Sequence, residues 1–111
     1  MNIKVRVFCF EDEEMWIAND YEELIELFEA LNSDDSFYSI PMLSTNMCDN
    51  EDAEIFEGDI VHAYDEDGTS LVGEVFYDDN VFYLKNNKGI LNNLWSNAEH
   101  IEVVGNIYEN K

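Results

Sequence analysis

Apolar and charged side chains alternate from Ile3 to Val7, and the alternation of faces continues to Phe10, with Ile3, Val5, Val7 and Cys9 on one side and Lys4, Arg6, Phe8 and Phe10 on the other. That is the period of a β-strand. The acidic run Glu11-Asp12-Glu13-Glu14 then reverses the chain into Met15-Trp16-Ile17-Ala18, so the opening predicts a β-hairpin. Asp20 followed by Glu23 is a helix N-terminal signal, and Tyr21, Leu24, Leu27, Phe28 and Leu31 recur at helical spacing until Asn32-Ser33-Asp34-Asp35 stops the pattern. Ser36 to Met42 reads as extended, with Pro41 marking an edge or an end, and the Asn-, Asp- and Ser-rich stretch from Leu43 to Ala53 reads as a loop. Short strands follow at Ile55–Tyr64, Leu71–Tyr77, Val81–Lys85 and Ile101–Val104, separated by Asp65-Glu66-Asp67-Gly68, Asp78-Asp79-Asn80 and Asn86–Gly89, with an irregular or helical piece around Asn93–Asn97. Such spacing predicts a small barrel. The expected class is α+β, with residues 1–43 as an N-terminal part, 44–53 as a connecting loop and 54–111 as the barrel, folding as one unit.

Charge changes the picture of the surface. From Val7 to Leu84 there is no lysine or arginine, yet this span holds all but three of the 26 acidic residues. The net charge of −21 on 111 residues far exceeds the magnitude of roughly 2–8 that keeps a small domain soluble. Hydrophobic residues make up 46% of the chain and aromatics 14%, so the acid coats a globular body and is not a disordered tail. Direct binding to DNA, RNA or an anionic membrane is excluded by this charge, because such binding rests on cations that neutralise phosphates. Cys9 and Cys48 have no metal-knuckle or redox spacing, which fits a reduced cytosolic protein. No apolar stretch approaches the roughly 18–20 residues that span a bilayer, and no cationic start precedes an apolar run.

Ile55-Phe56-Glu57-Gly58-Asp59-Ile60-Val61, Val72-Gly73-Glu74-Val75-Phe76-Tyr77-Asp78-Asp79, Phe82-Tyr83-Leu84 and Ile101-Glu102-Val103-Val104-Gly105-Asn106-Ile107-Tyr108-Glu109-Asn110 resemble the YopX family of phage and prophage proteins. The opening Ile3–Phe8 and the stretch Met42-Leu43-Ser44-Thr45 extend the likeness over nearly the whole chain. It departs at residues 46–54, which are acidic here and usually richer in lysine and glycine in the family. The resemblance implies a phage or mobile-element origin, hence the cytoplasm of a bacterial host, and a C-terminal SH3-like barrel with an N-terminal α+β part packed beside it. It implies no activity. In backbone terms, Gly58 permits a tight turn, Gly73 a bulge or close approach, and Gly105 the bend that sends Asn106 and Tyr108 back across the sheet.

Glu22, Glu26 and Glu29 fall at i, i+4 and i+7 on the helix, with Glu23 beside them and no lysine opposite. Like charges at this spacing cost a few tenths of a kcal/mol each, and a solvated face is the plain reading. Summed over the chain, however, rows of carboxylates about 5–6 Å apart approach the charge density of a phosphate backbone. The expectation is a nucleic-acid mimic that occupies the basic groove of a host defence enzyme, a CRISPR effector first and a restriction enzyme second. The candidate contact patches are the turn Glu11, Asp12, Glu13 and Glu14, the helix face Glu22, Glu23, Glu26 and Glu29, and the loop Asp49, Glu51, Asp52 and Glu54, with Trp16, Tyr21, Phe37, Tyr38 and Trp95 as possible apolar anchors. The alternative is a phage accessory or regulatory protein-interaction module whose acidity serves only solubility. Asp65–Gly68 and Asp49–Asp52 offer oxygen ligands but lack the calcium-loop pattern, so no metal or other cofactor is expected. Catalysis is not expected either, since His62 and His100 have no partner at metal spacing and no nucleophile motif is present.

Self-repulsion among so many like charges should weaken as salt shortens the Debye length to about 10 Å at 0.1 M. The melting temperature is therefore expected to rise with ionic strength, as measured by thermal unfolding across a sodium chloride series; a flat or falling trend would contradict it.

Overall fold

The hairpin forms where the alternating pattern places it. Strand β1 (Val5–Cys9) pairs antiparallel with β2 (Glu14–Ala18), from Val5 opposite Ala18 to Cys9 opposite Glu14. Between them Glu13 adopts a left-handed φ of +55°, which few non-glycine residues do. The computed structural model describes residues 3–64, 70–79, 81–86, 91–93 and 100–109, so the expectations for Asp65–Gly68, for Gly89 and for the piece reaching Asn97 lie outside the described residues.

Helix α1 (Tyr21–Ser33) starts at Asp20, whose carboxylate accepts the Glu23 N–H at 2.9 Å and so satisfies one of the unpaired amides of the first turn. It stops at Asp34, which accepts both the N–H and the hydroxyl of Ser36 and opens a 3-10 turn over Asp35–Phe37. These two bonds, the hydroxyl's first, hold the Asp34 carboxyl below the usual carboxylate range. The inward face of α1 is narrower than its periodicity predicts. Leu27 is buried, and Leu24 and Leu31 pack beside it on Val7 and Ala18, whereas Tyr21 remains 77% exposed and Phe28 42%. A single helix laid on β2 covers only one row of side chains, and Tyr21, Ile25 and Phe28 form the next row round.

The stretch expected to be a loop is a strand as far as Cys48. β3 (Met42–Cys48) pairs with β1 through Leu43 and Met42 and with β4 (Glu54–Phe56), giving a sheet of order β2-β1-β3-β4. Polar side chains at interior positions hide it in the sequence. The Ser44 hydroxyl donates to the Glu54 carboxylate and the Thr45 hydroxyl to the Ile55 carbonyl, so both are satisfied within the sheet.

The strand expected over Ile55–Tyr64 breaks at Glu57-Gly58. Gly58 has φ +85°, and a Cβ there would lie 2.8 Å from the Met42 Sδ, so the chain turns and β5 (Asp59–Tyr64) enters a second sheet. That sheet adds β6 (Ser70–Asp78), β7 (Val81–Lys85), β8 (Leu91–Asn93) and β9 (His100–Asn106), antiparallel throughout in the order β8-β7-β6-β5-β9. Gly73 supplies the close approach expected of it: a Cβ would meet the Lys85 carbonyl oxygen at 2.9 Å. The architecture is mostly β with one helix, its second sheet curled into a half-barrel. Of the expected α+β fold with an SH3-like barrel, this is the coarser part.

Two apolar clusters result. One joins Val7, Ala18 and Leu27 beneath the helix; the other joins Ile55 of β4 to Val61, Ala63, Val75 and Leu84 of the curled sheet. β1 lies between the layers and is buried on both faces from Val5 to Phe8. Its Lys4, Arg6, Phe8 and Phe10 side meets the later chain. Lys4 pairs with Glu54 at 3.0 Å. Arg6 Nη2 donates to Asp59 Oδ1 at 2.8 Å and to the Glu57 carbonyl at 3.2 Å, and its guanidinium sits 4.6 Å from the centre of the Phe56 ring. Asp59 Oδ2 in turn accepts the Phe56 N–H at 2.8 Å. Both side chains are almost fully buried, so removing one leaves the other uncompensated in a low-dielectric setting. Arg6→Ala is expected to lose about 3–5 kcal/mol of stability, with Arg6→Met/Asp59→Asn recovering part of it; urea unfolding of the three variants checks this, and a single-variant loss below about 1 kcal/mol would contradict a central role.

Candidate functional site

The acidic positions divide into an outward set and an inward set. Glu11, Asp12, Glu13 and Glu14 are all exposed around the β1–β2 turn, and Glu22, Glu26 and Glu29 are exposed along α1, with Glu23 half-buried beside the Asp20 cap. Successive members of the helical row are separated by about 4.5–6 Å along the axis at a rise of 1.5 Å per residue. The exposed apolar row of Tyr21, Ile25 and Phe28 sits one residue behind each of Glu22, Glu26 and Glu29 in sequence. Charge and apolar surface are thus adjacent on one helix, the combination found at the anchor points of protein interfaces. Of the other anchors proposed, Phe37 is exposed, Trp16 and Tyr38 pack against each other and the helix cluster, and Trp95 lies outside the described residues.

The loop after β3 behaves differently. Asp49 does not belong to the exposed acid expected there: it is only 7% exposed. Its Oδ1 accepts the N–H groups of Glu51 and Ala53 at 2.8 and 2.9 Å, and its Oδ2 accepts the Val103 N–H of β9 at 2.8 Å. Asn50 adds an exchange with Ile101, donating its N–H to the carbonyl and accepting the amide on Oδ1. A carboxylate that collects three backbone amides is a structural clamp, tying residues 49–53 to β9. Glu54 is similarly engaged, by Lys4 and Ser44, while Glu51 and Asp52 face solvent. Sequence offered no sign of this division, since Asp49 and Asp52 have the same local composition around them.

No group of three or more potential metal ligands occurs among the described residues, and Asp49 is already committed to amides. Cys9 has its thiol pushed up by burial and then by the carboxylates of Asp12 and Glu14, which disfavours the thiolate. Among the described residues no helix is long and apolar enough to cross a membrane. A feature that motif reading passed over lies at the join of the first and last segments. Asn106 Oδ1 accepts the N–H groups of Tyr108 and Glu109 at 2.9 and 2.6 Å, and Ile107 donates its N–H to the Gly58 carbonyl at 2.9 Å. This turn lays the Tyr108 ring against Phe8, with Phe10 edge-on to both. The bend expected at Gly105 was the one available sequence signal for it.

A sequence profile described as YopX protein matches residues 4–111. The chain belongs to the YopX family. No curated protein matches it. Among solved structures, that of protein EF1440 from Enterococcus faecalis is similar, at 20% identity and a TM-score of 0.60 over 96% of this chain and 93% of that one; at such identity the likeness is one of fold. YopX membership suggests a phage-type protein and brings no activity with it. In this YopX chain the stretch 55–61 serves the fold through Ile55, Gly58 and Asp59, and the stretch 101–109 through Val103, Asn106 and Ile107.

The inward and outward acids are separable by stability. Asp49→Ala should cost about 2 kcal/mol or more, because it removes three hydrogen bonds to a charged group, whereas Glu51→Gln should stay within about 0.5 kcal/mol; equal effects of the two in chemical denaturation would contradict the clamp.

Proposed function

We propose that this YopX-family protein acts by binding and not by catalysis, presenting a carboxylate surface to the basic groove of a host nucleic-acid-handling defence enzyme and occupying it in place of DNA or RNA. The observation that carries the reading is the exposed row of Glu22, Glu26 and Glu29 on α1, continued in sequence terms by the exposed Glu11–Glu14 turn, on a chain of net charge −21. Such a surface steers toward clustered arginine and lysine, gaining association rate as well as charge-assisted hydrogen bonds. Tyr21, Ile25 and Phe28, exposed beside the row, supply the apolar contact that carboxylates alone lack. A CRISPR effector or a restriction enzyme is the class of target this chemistry fits in a phage-type protein.

The same apolar row supports a second reading, an accessory protein-interaction module whose acidity serves solubility, because an apolar contact on one helix face needs no basic groove.

Immobilised protein is to be exposed to lysate of a bacterium carrying CRISPR and restriction systems, washed at graded salt, and its partners read by mass spectrometry. The expected result is a nuclease released by moderate salt, displaced by added duplex DNA, and bound at least about tenfold more weakly by the Glu22→Lys/Glu26→Lys/Glu29→Lys variant. A partner indifferent to salt, DNA and the charge reversal would overturn mimicry and favour the module.

A further inference from the structure

The three rings at the join of β1 and the 106–109 turn form the floor of an open recess of about 370 Å³, lined by Phe8, Phe10, Glu13, Tyr108 and Glu109. Phe8 and Tyr108 stack with centroids 5.4 Å apart and planes 9° from parallel, and Phe10 meets them edge-on at 5.6 and 6.0 Å. At those separations nothing fits between the rings, so a ligand sits on them. Phe10 is 48% exposed although it belongs to an aromatic cluster. Glu13, in its left-handed turn conformation, and Glu109, with Oε1 accepting from Asn106 Nδ2 at 3.2 Å, both line the recess. Neither carboxylate is in an ion pair among the described residues. All three described cations are engaged elsewhere: Lys4 with Glu54, Arg6 with Asp59, and Lys85 over the Phe76 ring at 5.2 Å.

We propose that this recess binds an arginine side chain of a partner protein, its guanidinium lying on the Phe10–Tyr108 surface and its N–H groups directed at Glu13 and Glu109. Aromatic faces carry negative charge density and attract cations, and the guanidinium, planar and weakly hydrated, both stacks on rings and forks onto carboxylates. A neutral apolar ligand would leave two carboxylates facing it, and an anion would be repelled by both. The site is independent of the helical row and does not require the partner to be a nucleic-acid-handling enzyme.

The test is an NMR titration of the isotopically labelled full chain with a blocked Gly-Arg-Gly peptide and, as the neutral isostere, Gly-citrulline-Gly. The arginine peptide is expected to give saturable shifts at Phe10, Glu13, Tyr108 and Glu109 with a Kd of the order of millimolar, and the citrulline peptide none. Phe10→Ala should weaken binding about 2- to 30-fold, and Glu13→Gln, which leaves the rings in place, should also weaken it. The Glu22→Lys/Glu26→Lys/Glu29→Lys variant should bind the peptide as the unaltered protein does, even though it is the variant expected to lose capture of a nuclease. Absence of saturation by roughly 10 mM, equal binding of citrulline, or shifts confined to α1 would overturn the site while leaving the proposed function to its own test.

Discussion

Everything else in this fold is arranged around one buried ion pair, Arg6 with Asp59. The chain has very few cations, and one of them sits in the middle of β1, between the helix layer and the turn at Gly58. Its partner's second oxygen caps the Phe56 amide, so the pair closes the turn by which the chain leaves one sheet for the other. Desolvating two charges is costly, and geometry and hydrogen bonds must offset that cost; here the Glu57 carbonyl and the Phe56 ring add to the ion pair, while the buried Arg6 Nε has no hydrogen-bond partner among the described residues. The contrast with Asp49 is instructive. That buried carboxylate accepts three main-chain amides. The two buried acids are thus held by different means, Asp59 by an arginine and Asp49 by backbone amides.

Once the interior is built this way, the segments that resemble the YopX family read as internal fittings. Gly58 and Asp59 form the sheet-to-sheet turn, Gly73 lets two strands approach, and Asn106 folds residues 107–109 back onto β1. The charged helix and the hairpin turn carry little of that load. Surface chemistry and scaffold therefore occupy different residues, an arrangement in which the acid can vary without disturbing the core.

Local signals were legible and long-range ones were not. The Asp20 cap, the hairpin and the strands β6 and β7 follow from spacing and turn chemistry alone, because each is decided by neighbours in sequence. Strand β3 was illegible because the buried Ser44 and half-buried Thr45 are satisfied by hydrogen bonds that no hydropathy pattern records. Tyr21 and Phe28 keep helical period yet stay exposed, since period fixes a face and not what covers it. Asp49 looks like any surface acid until Val103 is seen to donate to it. For the candidate surface, the turn and the helical row were legible from charge, while the meeting of Phe8, Phe10 and Tyr108 was foreshadowed only by a bend expected at Gly105; Gly105 itself pairs with Ile60 inside β9, and the turn starts at Asn106.

The placement of β1 has a consequence for biosynthesis. It precedes the other described strands in sequence, and the contacts of its inner face come from far along the chain: Arg6 meets Asp59 only once residue 59 has been translated, and Phe8 stacks on Tyr108 only once residue 108 has. Contacts of such sequence separation are slow to form, because the chain between them must be ordered first. During translation the nascent chain carries an unpaired arginine and a bare aromatic strand edge, the kind of segment that chaperones hold. The dense negative charge on the intervening residues makes neighbouring nascent copies repel one another.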